Sequence, residues 1–128
     1  VIKHRSKFED KVIKDLKSNK VDYKYESLRI TYTLDCFYTP DVLLPNGIIV
    51  EIKGFFRAED RRKHLQIKKQ RPDLDIRFVF QDGSKKISRM SKTTYTSWAD
   101  KHNFKWAIGY VPVEWVMEPP SKTSALGR

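Results

Sequence analysis

Apolar side chains recur along this chain at two periods, and the changes of period divide it into elements. Phe8, Val12, Ile13 and Leu16 return at helical intervals behind Ser6-Lys7-Phe8-Glu9, which has the spacing of a capping box. That pattern predicts a helix over residues 6–20 with a basic opposite face. From 21 to 38 the chain is rich in Tyr, Thr, Val and Ile in partial alternation: Val21, Tyr23, Tyr25, then Leu28, Ile30, Tyr32. This reads as two strands or one long bent strand. Its scarcity of glycine argues against a tight hairpin and suits an extended segment reaching away from its own domain.

Residues 41–44 and 48–53 are apolar strands on either side of Pro45-Asn46-Gly47. Proline suits the first corner of a turn and glycine the left-handed position after it, so a hairpin is predicted here. Ala58-Glu59-Asp60 opens a charged helix that carries Leu65 and Ile67 and must stop before Pro72, and 76–80 is another apolar strand. The middle of the chain therefore reads strand, strand, helix, strand. A basic polar loop at 83–92 follows, then a helix capped by Thr93 or Thr94 that runs to about 102. The segment 104–117 ends in Pro119-Pro120, and 121–128 is expected to be disordered. Trp98, Trp106 and Trp115 are assigned to packing.

At 128 residues the chain suits one domain, over about 1–120. It has no apolar run near the roughly 20 residues that cross a bilayer, and no membrane partner is expected. Val1-Ile2-Lys3-His4-Arg5 lacks the apolar stretch of a secretory signal, and Cys36 is a lone cysteine that cannot form an internal disulfide. An intracellular protein is expected. Charge adds more: 26 Lys and Arg against 16 Asp and Glu leave a formal +10, which points to a polyanionic partner bound with steep salt dependence.

The hairpin carries the candidate chemistry. With a three-residue loop, Leu44 faces Ile48, and counting back along both strands places Asp41 opposite Glu51. Opposed side chains have Cβ atoms roughly 4.5–5.5 Å apart, and the two-residue period sets Lys53 on the same face as Glu51. A slip of one residue would send Glu51 to the other face. Ile48, Ile49, Val50 and Ile52 make the strand almost continuously apolar, so a Glu and a Lys inside it need a reason. Paired carboxylates repel unless a cation or a shared proton relieves them. Oxygen donors suit Mg²⁺, with Mn²⁺ as a substitute, and Lys53 can address the same phosphate. As the last residue of the capping box, Glu9 is expected to bond the Ser6 backbone.

Pro40-Asp41 followed by Glu51-Ile52-Lys53 resembles the PD-(D/E)-x-K nuclease signature. Collinear matches at Phe8-Glu9-Asp10-Lys11-Val12, Tyr38-Thr39-Pro40-Asp41, Leu43-Leu44-Pro45-Asn46-Gly47, Lys53-Gly54 and Arg62-Lys63-His64-Leu65 narrow the resemblance. So do Pro72 to Arg77 and Glu114-Trp115. Together they are similar to the Holliday-junction-resolving endonuclease I family of T-seven-like bacteriophages. That resemblance implies an α/β restriction-endonuclease-like fold, a mixed sheet flanked by helices. It implies metal ligation by Asp41, Glu51 and Glu9, with two Mg²⁺ ions per site and no nucleotide cofactor, and a catalytic role for Lys53. It further implies cleavage of four-way junctions and other branched DNA in the cytoplasm of a phage-infected bacterium. The assembly implied is a domain-swapped homodimer whose β-bridge, about 21–38, exchanges the N-terminal helix, so that Glu9 completes the partner's site. Lys24 stands where the family carries an acidic residue.

Arg57, Arg61, Arg62, Lys63 and His64, with Lys68, Lys69 and Arg71 further on, concentrate positive charge after the hairpin. The first five are candidate DNA contacts, and Lys85 and Lys86 form a second patch. Two alternatives stay open from the residues: a nuclease of the same fold acting on ordinary or mismatched duplex, and a non-catalytic basic DNA-binding module. The second leaves Asp41, Glu51 and Lys53 unexplained.

Overall fold

The computed structural model describes residues 6–31 and 37–120. Helix α1 (Lys7–Ser18) starts at Ser6, whose hydroxyl oxygen accepts the Glu9 amide at 3.0 Å. One amide that the helix cannot satisfy internally is thereby paired. Only this half of the expected capping box forms, because the Glu9 carboxylate accepts the Tyr25 hydroxyl at 2.8 Å. Phe8, Val12, Ile13 and Leu16 are buried, as their spacing requires.

The segment 21–38 is not one long strand. Strand β1 (Lys24–Tyr25) belongs to the main sheet, whereas β2 (Ile30–Thr31) and β3 (Phe37–Tyr38) pair antiparallel in a separate two-stranded sheet. Residues 32–36, the middle of the expected bridge, lie outside the described residues, as does the expected tail at 121–128.

The remaining elements are β4 (Val42–Leu43), β5 (Ile49–Lys53), α2 (Ala58–Gln70), β6 (Ile76–Phe80), α3 (Tyr95–Lys101), β7 (Trp106–Ile108) and α4 (Val113–Met117). The predicted hairpin forms. Gly47, at φ +92°, donates its amide to the Leu44 carbonyl at 3.0 Å, and the Leu44 amide reaches the Ile48 carbonyl at 2.9 Å. The main sheet runs β1-β4-β5-β6-β7, with the first three antiparallel and the last three parallel. Parallel neighbours need a crossover, and α2 and α3 lie within those connections. Asp60 accepts the Arg57 amide at the start of α2, and Thr94 caps α3.

Alternation along β5 builds two cores. Ile48, Val50 and Ile52 join α1, Val79, Val111 and Trp115 on one face. Ile49 joins Ile67 of α2, Phe78, Phe80, Tyr95, Trp98 and Phe104 on the other. Trp106 packs against this second core, half-buried. The C-terminal segment is tied down by polar contacts, with the Asn46 amide donating to the Trp115 and Glu118 carbonyls at 2.7 and 2.9 Å. Arg77, buried on the α1 face, bridges Asp75 and Glu118. Among the described residues no helix is long and apolar enough to cross a membrane.

Candidate active site

Two strand pairings converge on Asp41. Val42 faces Val50 and Leu43 faces Ile49, so one step further along this register sets Asp41 opposite Glu51, as the turn predicts. On the other side Tyr25 faces Val42, which sets Glu26 opposite Asp41, and the Glu26 amide donates to the Asp41 carbonyl at 3.1 Å. Glu26 adopts a left-handed φ of +48°, uncommon for a residue with a side chain. Three acidic residues, one just past β1, one just before β4 and one within β5, thus lie in a row across the sheet.

Glu51 is 2% exposed and surrounded by donors. Its Oε2 accepts the Tyr38 hydroxyl at 2.8 Å and the Asp41 amide at 3.1 Å. Its Oε1 lies 3.8 Å from Lys53 Nζ and 3.5 Å from His64 Nε2. Burial pushes the Glu51 carboxyl up, but the His64 ring, the Lys53 ammonium and the Tyr38 hydroxyl outweigh it and hold the group at about 2. The same burial, with Glu51 beside it, drives the Tyr38 hydroxyl well above its ordinary range.

Asp41 meets the opposite treatment. Its Oδ2 accepts the Ile52 amide at 2.9 Å, yet burial first and the Glu51 charge second raise its carboxyl to about 8. Lys53 opposes this without reversing it. Oxygens of Glu9, Glu26 and Asp41 all lie within 4.8 Å of one another, and among the described residues this is the acidic group able to hold an ion. The resemblance pointed to Asp41, Glu51 and Glu9. The structure brings Glu9 to Asp41 within one chain, adds Glu26, and turns Glu51 toward its own ring of donors.

Lys53 stands between Glu51 and Asp60, whose Oδ1 is 3.9 Å from Nζ. Burial pushes its ammonium down, but Glu51, Asp60, Asp41 and Glu9 prevail and raise it, so Lys53 carries its proton. A cavity of about 340 Å³ opens here, lined by Lys7, Glu9, Lys53, Gly54, Phe55 and Gln81 among others.

The candidate DNA contacts separate by burial. Arg57, Arg62, Lys85 and Lys86 are exposed. Lys85 Nζ sits 4.5 Å from the centre of the Phe55 ring, itself 67% exposed beside the cavity. Arg61 is half-buried, and its Nη1 donates to the Phe56 carbonyl at 2.7 Å. Lys63 is half-buried too, with Nζ 5.7 Å from the Tyr38 ring centre. His64 is a correction. It is fully buried, because its place on α2 faces the sheet, so it cannot meet DNA and instead abuts Glu51. Burial pushes its imidazole below the ordinary value.

Sequence reasoning missed Glu26 and Tyr38. The pairing of β1 with β4 spans a long connection with no turn motif to count from, so nothing local aligned Glu26 with Asp41. Tyr38 read as one more strand aromatic, although its position three residues before Asp41 was visible.

Comparison with known proteins places the chain in a family. The family described as phage endonuclease I matches residues 1–126. Endonuclease I of Escherichia phage T7 is 45% identical over 118 residues, covering 90% of this chain and 79% of the relative. Endodeoxyribonuclease 1 of Enterobacteria phage T3 is 47% identical over 118 residues, covering 90% of this chain and 78% of the relative.

Proposed function

The chain belongs to the phage endonuclease I family, and on that premise we propose that it is a metal-dependent DNA endonuclease that cuts four-way junctions and other branched DNA. The observation that carries the reading is the convergence of Glu9, Glu26 and Asp41 on one side of the β4–β5 hairpin, with Glu51 and Lys53 beside them. Glu9 comes from α1 and Glu26 from the residue after β1, so tertiary structure gathers acidic residues far apart in sequence.

The donor set fits a hard divalent cation. It is all oxygen, it concentrates negative charge, and burial with Glu51 beside it raises the Asp41 carboxyl. Asp41 and Glu9 would hold Mg²⁺ or Mn²⁺, two ions per site, with Glu51 taking part through Oε1, since Oε2 already accepts two hydrogen bonds. The ion would acidify a water and stabilise the charge that builds on the phosphate. Lys53, beside Glu51 at 3.8 Å, would bind and orient a phosphate oxygen as a donor. Arg57, Arg62, Lys85 and Lys86 are available to phosphates of the arms.

The assembly in this reading is a domain-swapped homodimer acting within the infected bacterial host. Swapping exchanges identical contacts between copies, so the Glu9 to Asp41 contact made here in one chain would be made by a partner's α1. Two sites in a symmetric dimer match paired cuts on opposing strands.

The test is cleavage of a labelled four-way junction beside a linear duplex of equal sequence, in Mg²⁺ or EDTA. Wild type is expected to make paired, Mg²⁺-dependent cuts near the branch point, and Glu51→Gln or Lys53→Ala to lose roughly 10³-fold in rate, ~4 kcal/mol. Tight junction binding without cleavage would leave only a binding module. Mixing Glu9→Ala with Glu51→Gln chains tests the swap, because only exchange of α1 gives the mixed dimer one intact site. No recovered activity on mixing would reject it.

A further inference from the structure

His64 is the one buried polar side chain among the described residues whose ring nitrogens both lack a hydrogen-bond partner. It is fully inaccessible, set edge-on against Tyr38, Phe78 and Phe104 at ring-centre distances of 5.5, 5.0 and 6.5 Å. An apolar side chain would fill that volume without leaving polar atoms unanswered. The acidic oxygen before the ring is Glu51 Oε1, 3.5 Å from Nε2.

The tautomer follows from that neighbour. A lone pair on Nε2 would face the carboxylate in repulsion, so the proton sits on Nε2 and the bare Nδ1 turns into the aromatic shell. Tyr38 and the Asp41 amide hold Oε2 from the other side. Glu51 Oε2 is thus held by groups from β3 and from the residue before β4, while the α2 ring faces Oε1.

We infer that His64 is a positioning residue, which donates Nε2–H to Glu51 Oε1 and fixes the orientation in which Glu51 meets the catalytic cation. This rests on the metal-dependent reading of the site. Partners that orient a ligating carboxylate are worth about 10–100-fold in metal affinity when removed. The role differs from the DNA contact that the position of His64 beside Lys63 suggested, and it acts through Glu51 without touching substrate.

The experiment compares His64→Gln with His64→Asn. A glutamine amide reaches the place of Nε2, whereas an asparagine amide stops at that of Nδ1, so two variants of similar polarity differ in whether a donor meets Glu51. Mn²⁺ affinity is measured without DNA, by the paramagnetic resonance of the free ion, beside thermal midpoints and the Mg²⁺ dependence of junction cleavage. The expected result is Mn²⁺ affinity within about threefold of wild type for His64→Gln. For His64→Asn about a tenfold loss is expected, at a matched midpoint. Equal affinities for wild type and both variants would overturn the inference, as would equal losses in both. Absence of Mn²⁺ binding by wild type would instead remove the metal reading beneath it.

Discussion

Asp41 and Glu51 face each other across one antiparallel pair, and the protein treats their charges in opposite ways. Glu51 sits deep, with a hydroxyl, an amide, an ammonium and an imidazole around it, and is held ionised to about pH 2. Asp41 has one backbone donor on Oδ2 and two further carboxylates beside it, and its carboxyl is raised to about 8. A buried charge persists when donors surround it and becomes a liability when its neighbours carry the same sign. Glu51 is thus an anion stabilised chiefly by the chain's own donors, while Asp41 belongs to an acidic cluster of like charge.

Removing each group should show this difference, most strongly at Glu51. Glu51→Ala strips the partner from Lys53, Tyr38 and the Asp41 amide, and is expected to cost about 3–5 kcal/mol in denaturant unfolding. Asp41→Asn is expected to raise the midpoint of the metal-free protein at pH 8. A neutral loss at Glu51 or a destabilising Asp41→Asn would break the contrast.

The two carboxylates also give stability opposite dependences on pH. The folded Asp41 keeps a proton that the unfolded chain has released above about 4, so its share of stability falls as pH rises from about 4 to about 8. Glu51, depressed in the folded state, contributes above about 4.5, and that contribution is lost as pH drops toward about 2. Unfolding in EDTA at pH 5 and pH 8 should therefore show a decline that Asp41→Asn abolishes. A cation should relieve the same strain: Mn²⁺ at a hundredfold excess over its Kd adds about 2.7 kcal/mol. That gain should vanish in Asp41→Asn. The smallest effect is expected outside the cluster, where Arg62→Ala should reduce the salt slope of junction binding by about 1 and leave the rate at saturating DNA unchanged.

Legibility varied with distance along the chain. Pro45-Asn46-Gly47 specified its turn, so the register that opposes Asp41 to Glu51 could be counted from the sequence alone, and the pairing found agrees. The caps at Ser6 and Thr94 and the end of α2 before Pro72 were equally local. Glu9 was harder, because a capping box and a site carboxylate need the same oxygens. Tyr25 decides between them, by drawing the side chain off the helix. His64 was misjudged because the charged run around it suggested a solvated face, whereas the turn of α2 aims that one position at the sheet.

Residue order therefore determined what lies within a few positions of a turn or a cap, since backbone geometry and the two side-chain periods propagate that far without help. It also determined the basic charge and the acidic residues available. Tertiary structure alone decided which of them meet. Glu9 and Glu26 reach Asp41 only because α1 buries its apolar face on β5 and β1 pairs with β4. These contacts close long loops, and their geometry is set by packing whole elements, which no local pattern encodes.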